Sequence, residues 1–355
     1  MVQIKTLDFK SQTIYVGLDV HLKNWKVSIL LEDLVYKTFS QPPSPSALKS
    51  YLSKHFPGAS YKSVYEAGFC GYWIHDELTG LGIENIVVNP ADVPTTDKER
   101  QQKTDKRDAL KLAKSLRSGQ LEAIYIPSRL MLEHRSLLRH RDTHVKDLTR
   151  TKNRIKAHLH FFGIKLPEQY SKCNWSNNFI RWIEEQQMQS EVGQDVLSSL
   201  LVSYRQQRKR LLTVNRLLRE LSQTPAYEKN VELLLSIPGI GLIGAMKILL
   251  ELGDIKRFRG LERLCAYIGL IPRTNSSGEH ERVGEMTNRG NRQLKKMLVE
   301  ASWVAIRNDP AMALKYQQLC KRMKAQKAII KIARKLLNRI RFVLLNQQKY
   351  QTGKA

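Results

Sequence analysis

Four carboxylates stand where they could share one chemical task. Asp19 ends an apolar run, Thr13–Leu22, in which Ile14, Val16 and Leu18 alternate. Glu66 ends a second run, Tyr61–Tyr65, and Asp105 and Asp108 stand three apart in Lys103-Thr104-Asp105-Lys106-Arg107-Asp108. Carboxyl ends of strands are where open α/β sheets put their sites, and a spacing of three sets two carboxylates on one helix face. If strands and helix converge, the four charges repel each other, and one or two Mg²⁺ ions with hard oxygen ligands relieve that repulsion. Two such ions can activate an attacking oxygen and stabilise a leaving oxygen at a phosphodiester. Each residue alone has a plainer explanation: a helix-dipole partner at Asp105, a turn residue at Asp19, a lysine partner for Glu66. Strand-Asp, strand-Glu and helix Asp-x-x-Asp in one order point to metal chemistry.

The elements that must position these residues read as a mixed α/β sheet. Trp25–Leu31 and Leu34–Phe39 continue from the first strand as an antiparallel meander, and Pro42-Pro43 breaks it. Helices follow over Ser46–Phe56, Gly71–Gly80 and Thr104–Leu116, with a further strand at Ile83–Val88. Strands alternating with helices in this way predict an α/β domain over residues 1–128.

Charge divides the chain. The sequence of 355 residues has 59 Lys+Arg against 33 Asp+Glu, a net of +26, with 42% apolar residues. That apolar content is enough for folded cores and excludes a disordered basic tail. Residues 1–120 hold 16 basic and 13 acidic side chains, a net of +3, which leaves +23 behind them. The front is expected to hold chemistry, and the back to hold a polyphosphate, DNA or RNA, through counterion release. No run approaches the roughly 18 apolar residues of a membrane span, and Met1–Lys10 lacks the apolar core of a signal peptide. Four widely spaced cysteines form no CxxC pair, which predicts a reduced, cytoplasmic protein without a zinc ribbon.

Residues 129–226 read as helical. One heptad seam runs through Leu138, Val145, Lys152 and Leu159 with Arg141, Leu148, Ile155 and Phe162; a second runs through Leu197, Tyr204, Leu211 and Leu218 with Leu200, Gln207, Val214 and Leu221. This is a coiled-coil pattern, able to pair within one chain or between chains. Arg135, Arg139, Lys146, Arg150 and Arg154, then Arg205, Arg208, Lys209 and Arg210, are placed on the outer faces, as solvated charge or as a nucleic-acid track. His140 and His144 could chelate a metal at helical spacing, but they have no third ligand and no HExxH context.

Residues 227–355 read as a helical domain. Leu233–Gly241 leads into Ile243–Leu252 with the pattern of a helix-hairpin-helix, whose Gly239 and Gly241 would let backbone approach a phosphate. Arg273–Glu285 is expected as a polar loop carrying Ser276 and Ser277. A basic helix, Asn288–Ile306, follows with Arg289, Arg292, Lys295 and Lys296, and a last helix covers about Lys327–Leu345. On these residues alone an ordinary Ser-Gly turn is the favoured reading of the two serines, with a nucleophilic hydroxyl toward phosphate as the alternative.

A family resemblance changes that balance. Gly17-Leu18-Asp19-Val20-His21, Tyr65-Glu66-Ala67-Gly68 and Lys103 through Ala109 resemble the three motifs of RuvC-like DEDD transposases. That insertion-sequence family includes the pilin-gene invertases and the bridge-RNA-guided recombinases. Ala266–Pro272, Asn275-Ser276-Ser277-Gly278 and Arg289–Leu294 resemble the carboxy-terminal domain of the same enzymes. The resemblance implies an RNase H-like domain in which Asp19, Glu66, Asp105 and Asp108 bind Mg²⁺, with Mn²⁺ as a substitute. It implies Ser277 as the nucleophile toward DNA, with Ser276 as the other candidate, and Lys106 and Arg107 as neutralisers of nearby phosphate. It also implies a homodimer or homotetramer whose half-sites come from different protomers, acting on element ends and target DNA at the prokaryotic nucleoid, with a structured guide RNA. Two rivals remain open on the sequence: a metal-dependent junction-resolving nuclease that hydrolyses with water, and a non-enzymatic architectural binder.

Overall fold

The computed structural model describes residues 9–94, 105–171, 175–277 and 280–353. The chain divides into two compact units, Met1–Ile126 and Pro127–Ala355.

The first unit is built on a five-stranded sheet of order β3-β2-β1-β4-β5. Its strands are β1 (Thr13–Val20), β2 (Trp25–Leu31), β3 (Leu34–Gln41), β4 (Ser60–Glu66) and β5 (Glu84–Val88). The first three form the antiparallel meander, while β1, β4 and β5 run parallel. Helices α1 (Pro45–His55) and α2 (Trp73–Gly80) bury Leu48, Leu52, Ile74 and Leu78 with Ile14, Val16 and Leu18 of β1 in one core. Helix α3 (Asp105–Arg117) buries Leu112 in a second cluster with Val64 and Val88. This α/β architecture with a mixed sheet fits the expected RNase H-like class.

The register does the positioning. Leu18 pairs with Tyr65 across the parallel β1/β4 ladder, so Asp19 and Glu66 fall on the next rung of neighbouring strands. Gly17 and Asp19, two apart, share a face of the sheet. At Gly17 the backbone of α3 comes so close that a Cβ would overlap the Ala109 carbonyl oxygen and stand 2.5 Å from the Ala113 nitrogen. Asp108 is the residue before Ala109, so the glycine sets how near the helix carboxylates come to Asp19.

In the second unit, α4 (Arg129–Phe161) and α6 (Glu191–Ser222) lie against each other, with α5 (Asn177–Glu184) at one end. Leu138 of α4 packs in the same core as Val214 and Leu218 of α6, while Ile155 and Leu159 pack with Leu197, Leu201 and Tyr204. The pairing is therefore antiparallel and within one chain. Not every seam position is buried: Val145 is 36% and Phe162 51% exposed. Among the cations assigned to outer faces, Arg135 is a correction, because it is buried and its Nε donates to the Leu250 carbonyl at 2.9 Å. Helical spacing alone did not reveal that a third helix covers that face. His140 and His144 bring their Nε2 atoms to 2.9 Å, one ring hydrogen-bonded to the other.

Beyond the short helix Glu168–Ser171, further helices among the described residues of this unit are α7 (Glu228–Leu235), α8 (Leu242–Leu252), α9 (Leu261–Ile268), α10 (Arg292–Asn308), α11 (Pro310–Cys320) and α12 (Ala325–Asn346). They share one core with the lower end of the α4/α6 pair, in which α12 buries Ile332, Leu336, Leu337 and Ile340. The segment expected as a loop is instead a two-stranded antiparallel ribbon, β6 (Pro272–Ser277) and β7 (His280–Met286). Its residues are too polar to show an apolar alternation, so the ribbon is revealed by its backbone pairing.

Candidate active site

Asp19, Glu66 and Asp108 line one cavity of 140 Å³ at the carboxyl ends of β1 and β4, together with Gly68, Phe69 and Cys70. Asp105 joins from the first turn of α3: its carboxylate, that of Asp19 and a ring nitrogen of His21 all lie within 4.8 Å of one another. The other three sequence-predicted carboxylates, Glu66, Asp105 and Asp108, thus converge on Asp19. Burial pushes the Asp19 carboxyl above its usual range; His21 opposes this, and the charges of Asp105, Asp108 and Glu66 add to it.

The donor set suits a divalent cation. Carboxylate oxygens are the ligands that Mg²⁺ and Mn²⁺ prefer, and a bound cation would offset the mutual repulsion of these carboxylates. His21 stands within the quoted Asp19-Val20-His21 motif but carried no assigned role. Its Nδ1 lies 3.7 Å from an Asp19 oxygen, and the i, i+2 spacing was the signal available for it. Lys106 and Arg107 occupy the first turn of α3, between the two aspartates, and Arg107 is exposed.

The second unit places the serine segment on a braced ribbon. Ser276 pairs with Glu281 and Ser277 with His280, so Ser277 is the last residue of β6 before the tip. Gly278 lies outside the described residues. The two feet of the ribbon are pressed together. Gly269 (φ +85°) ends α9 and Gly290 (φ +101°) precedes α10, and a Cβ on Gly290 would stand 2.5 Å from the Gly269 nitrogen. The Asn291 amide donates to the Tyr267 carbonyl at 3.1 Å and the Thr287 amide to the Ile271 carbonyl at 3.0 Å.

One buried carboxylate ties this base to α4. Glu251, 3% exposed, accepts from Arg139 Nε and Nη2 at 3.3 and 3.4 Å and from Asn291 Nδ2 at 3.0 Å. The Tyr267 hydroxyl donates to its carbonyl oxygen at 3.0 Å. Asn291 also caps α10, accepting from the Leu294 amide. No sequence motif marked Glu251, whose place in the apolar run Leu249-Leu250-Glu251-Leu252 was its signal.

The turn between α7 and α8 borders a groove of 530 Å³ whose lining includes Gly239, Gly241, Lys146, Lys247 and Lys296. Gly239 (φ +90°) sits so close to α10 that a Cβ would overlap the Ala301 carbonyl oxygen. Lys247 is paired with Asp142 at 2.8 Å. Lys295 donates to the Thr287 carbonyl at 2.9 Å, while Lys296, Arg289 and Arg292 are exposed on or beside α10. The predicted cationic residues thus divide between structural bonds and surface charge. No helix among the described residues is long and apolar enough to cross a membrane.

Comparison with known proteins bears on both units. Residues 16–164 match the model of IS110-type DEDD transposases, and residues 231–317 match that of the transposase IS116/IS110/IS902 family. A putative transposase, y4qE, of Sinorhizobium fredii is 30% identical over 67% of this chain, and the match spans 57% of that protein's length. The transposase for insertion sequence element IS1533 of Leptospira borgpetersenii is 26% identical over 82% of this chain and 84% of its own. The transposase for IS1111A of Coxiella burnetii is 25% identical over 82% and 79%. With matched segments in the same order as the acidic motifs and the serine segment, the chain belongs to the IS110 family of DEDD transposases.

Proposed function

We propose that the protein is a DNA transposase that cleaves and rejoins strands through a serine-linked intermediate, moving an insertion sequence. The observation that carries the reading is the convergence of Asp105, Asp108 and Glu66 on a half-buried Asp19. These four residues would hold Mg²⁺, with Mn²⁺ as a substitute, and His21 orients Asp19. When bound, the cation supplies Lewis-acid polarisation of a phosphodiester oxygen and neutralises charge developing there.

The chain's own residues carry the rest. Ser277 Oγ forms a bond to phosphorus as the bond from phosphorus to a DNA oxygen breaks; the serine proton is lost and a DNA hydroxyl is released. Attack of a DNA hydroxyl on the phosphoserine reverses the exchange, so the phosphodiester bond energy is kept for rejoining. Ser276 is the alternative nucleophile. The close-packed glycines at the ribbon's feet and the Glu251 bonds fix the base from which the serine acts. The α7–turn–α8 segment works as a helix-hairpin-helix, with Gly239, Gly241 and Lys296 toward phosphate, and Arg289, Arg292, Lys295, Lys106 and Arg107 contribute to nucleic-acid binding. Such contacts position the backbone without reading sequence. The paired α4/α6 helices form a coiled coil. The working form is a homodimer or homotetramer, and the +23 behind residue 120 suits a structured guide RNA as well as DNA.

The test is a denaturing gel of a completed reaction. DNA is expected to stay attached to wild-type protein and to Ser276→Ala, and to be absent from Ser277→Ala and Asp19→Asn. Strand exchange by Ser277→Ala at the wild-type rate would end the serine mechanism, and cleavage without rejoining would favour a hydrolytic nuclease.

A further inference from the structure

A row of four polar residues crosses one face of the first unit's sheet at the carboxyl end of β1. Asp19 pairs with Lys26 across the antiparallel β1/β2 ladder, and Lys26 pairs with Ser40 across β2/β3. Residues directly opposite one another share a face, and Glu66 stands on the rung beside Asp19. From β4 to β3 the order is therefore carboxylate, carboxylate, ammonium, hydroxyl. Lys26 is placed to neutralise Asp19 and does not. Its Nζ donates to the Ser40 hydroxyl at 2.6 Å, on the side away from β1, and the basic group near Asp19 is His21 instead. Other cations of this unit are neutralised within it, Lys62 by Glu84 and Arg117 by Asp33. Lys26 bonds to a neutral hydroxyl and keeps its charge.

We propose that Lys26 holds a phosphate of the DNA strand that enters the acidic cavity, so that the strand leaves the cavity across the sheet toward β3. This rests on the acidic cavity being the place where the phosphodiester reacts. Cations bound by the four carboxylates can accept one phosphodiester, but its neighbours along the strand still meet acidic side chains. The first 120 residues have a net charge of only +3 to offset that. An ammonium is a compact point charge on a flexible stem, suited to a phosphate oxygen. Ser40 keeps it off Asp19, where it would compete with a bound cation. The geometry also sets the distance. Neighbouring strands lie about 4.8 Å apart, so Ser40 on β3 is about 10 Å from the line of β1. At a rise of about 3.4 Å per nucleotide, that spans about three nucleotides of a duplex strand.

The experiment uses full-length protein purified from cells carrying the intact element. Its substrates are element-end DNAs in which single phosphates on either side of the cleavage point are replaced, one at a time, by uncharged methylphosphonates. Binding is measured in Ca²⁺ and cleavage in Mg²⁺. Wild type should bind roughly 10-fold or more weakly when the phosphate about three nucleotides away on one side is neutral, the size of a charge-assisted hydrogen bond. Lys26→Ala should bind unmodified DNA weaker by that factor, lose nothing further at that phosphate, and keep wild-type sensitivity at the others. Lys26→Arg should restore most of the loss. Lys26→Gln, which can still bond to Ser40 but carries no charge, should behave like Lys26→Ala. A Lys26→Ala pattern identical to wild type, or a Lys26→Gln that binds like wild type, would overturn the proposal. Asp19→Asn runs alongside: if it cleaves like wild type, the reading of the cavity has failed, whereas an inactive Asp19→Asn beside an unchanged Lys26→Ala pattern sinks the Lys26 contact alone.

Discussion

The carbonyl oxygen of Ala109 occupies the space where a side chain on Gly17 would begin. Gly17 lies two residues before Asp19 on β1, and Ala109 follows Asp108 on α3, so this backbone contact is the spacer between two halves of the acidic cluster. The smallest possible change to it should be felt in both folding and chemistry. Gly17→Ala should lose about 1–3 kcal/mol of stability, the usual cost of overpacking. It should also push α3 outward, so that metal-dependent cleavage falls by more than the lost stability explains. Denaturant unfolding and cleavage rates at saturating Mg²⁺, measured on the same preparation, check both.

Asp19→Asn should separate stability from activity. Burial raises the Asp19 carboxyl pKa. A carboxyl raised in the folded state contributes stability that is complete below its unfolded pKa and is lost as pH rises through the folded one. In metal-free protein the ionised Asp19 is therefore a cost at neutral pH. Asp19→Asn should unfold at a higher temperature than wild type at pH 7 in EDTA, with the difference vanishing toward pH 3, while its cleavage is lost. Thermal melts across pH test this, and a variant less stable than wild type at pH 7 would contradict it.

Removing Glu251 should loosen the base of the serine ribbon. Glu251→Ala takes from Arg139 and Asn291 the carboxylate they donate to and leaves the buried Arg135, whose Nε lies 4.0 Å from it, without that counter-charge; breaking a buried ionic cluster costs about 3–5 kcal/mol. Glu251→Gln keeps the shape and one acceptor and should cost less. Denaturant unfolding of the full chain ranks the two. Hydrogen exchange should show lost protection at Asn291 and Thr287 before the sheet of the first unit is affected.

Nucleic-acid binding should weaken steeply with salt, as the excess charge behind residue 120 requires. If Lys146 and Lys296 in the α4/α8/α10 groove each contact a phosphate, replacing both by Ala should lower the slope of log K against log salt by about 2 and affect all sequences alike. Titrations between 50 and 200 mM salt decide it, and an unchanged slope would place the phosphate track elsewhere.

The acidic cluster was legible in the sequence because each carboxylate is announced by the element that carries it. The alternation through Ile14, Val16 and Leu18 ends at Asp19, and the run through Val64 and Tyr65 ends at Glu66. Parallel pairing then brings the two ends together without any long-range guess. The ribbon around Ser277 was hidden because Arg273–Glu285 offers no apolar alternation to betray a strand. Arg135 and Glu251 were misplaced or missed for a shared reason: a charged residue in a helix looks solvated until the partner that buries it is known. Here that partner lies over a hundred residues away.

The Glu251 bonds also bear on modularity. Arg139 falls inside the segment matched by the first family model, residues 16–164, whereas Glu251 and Asn291 fall inside the second, residues 231–317. Sequence families thus draw their border through a structure that does not part there. A chimera that exchanges residues 1–164 between relatives would import arginines chosen for another acid, and would orphan this one. A junction near residue 127 keeps Arg135, Arg139, Glu251 and Asn291 as a single inheritance, and is the place where pieces of such enzymes can be traded.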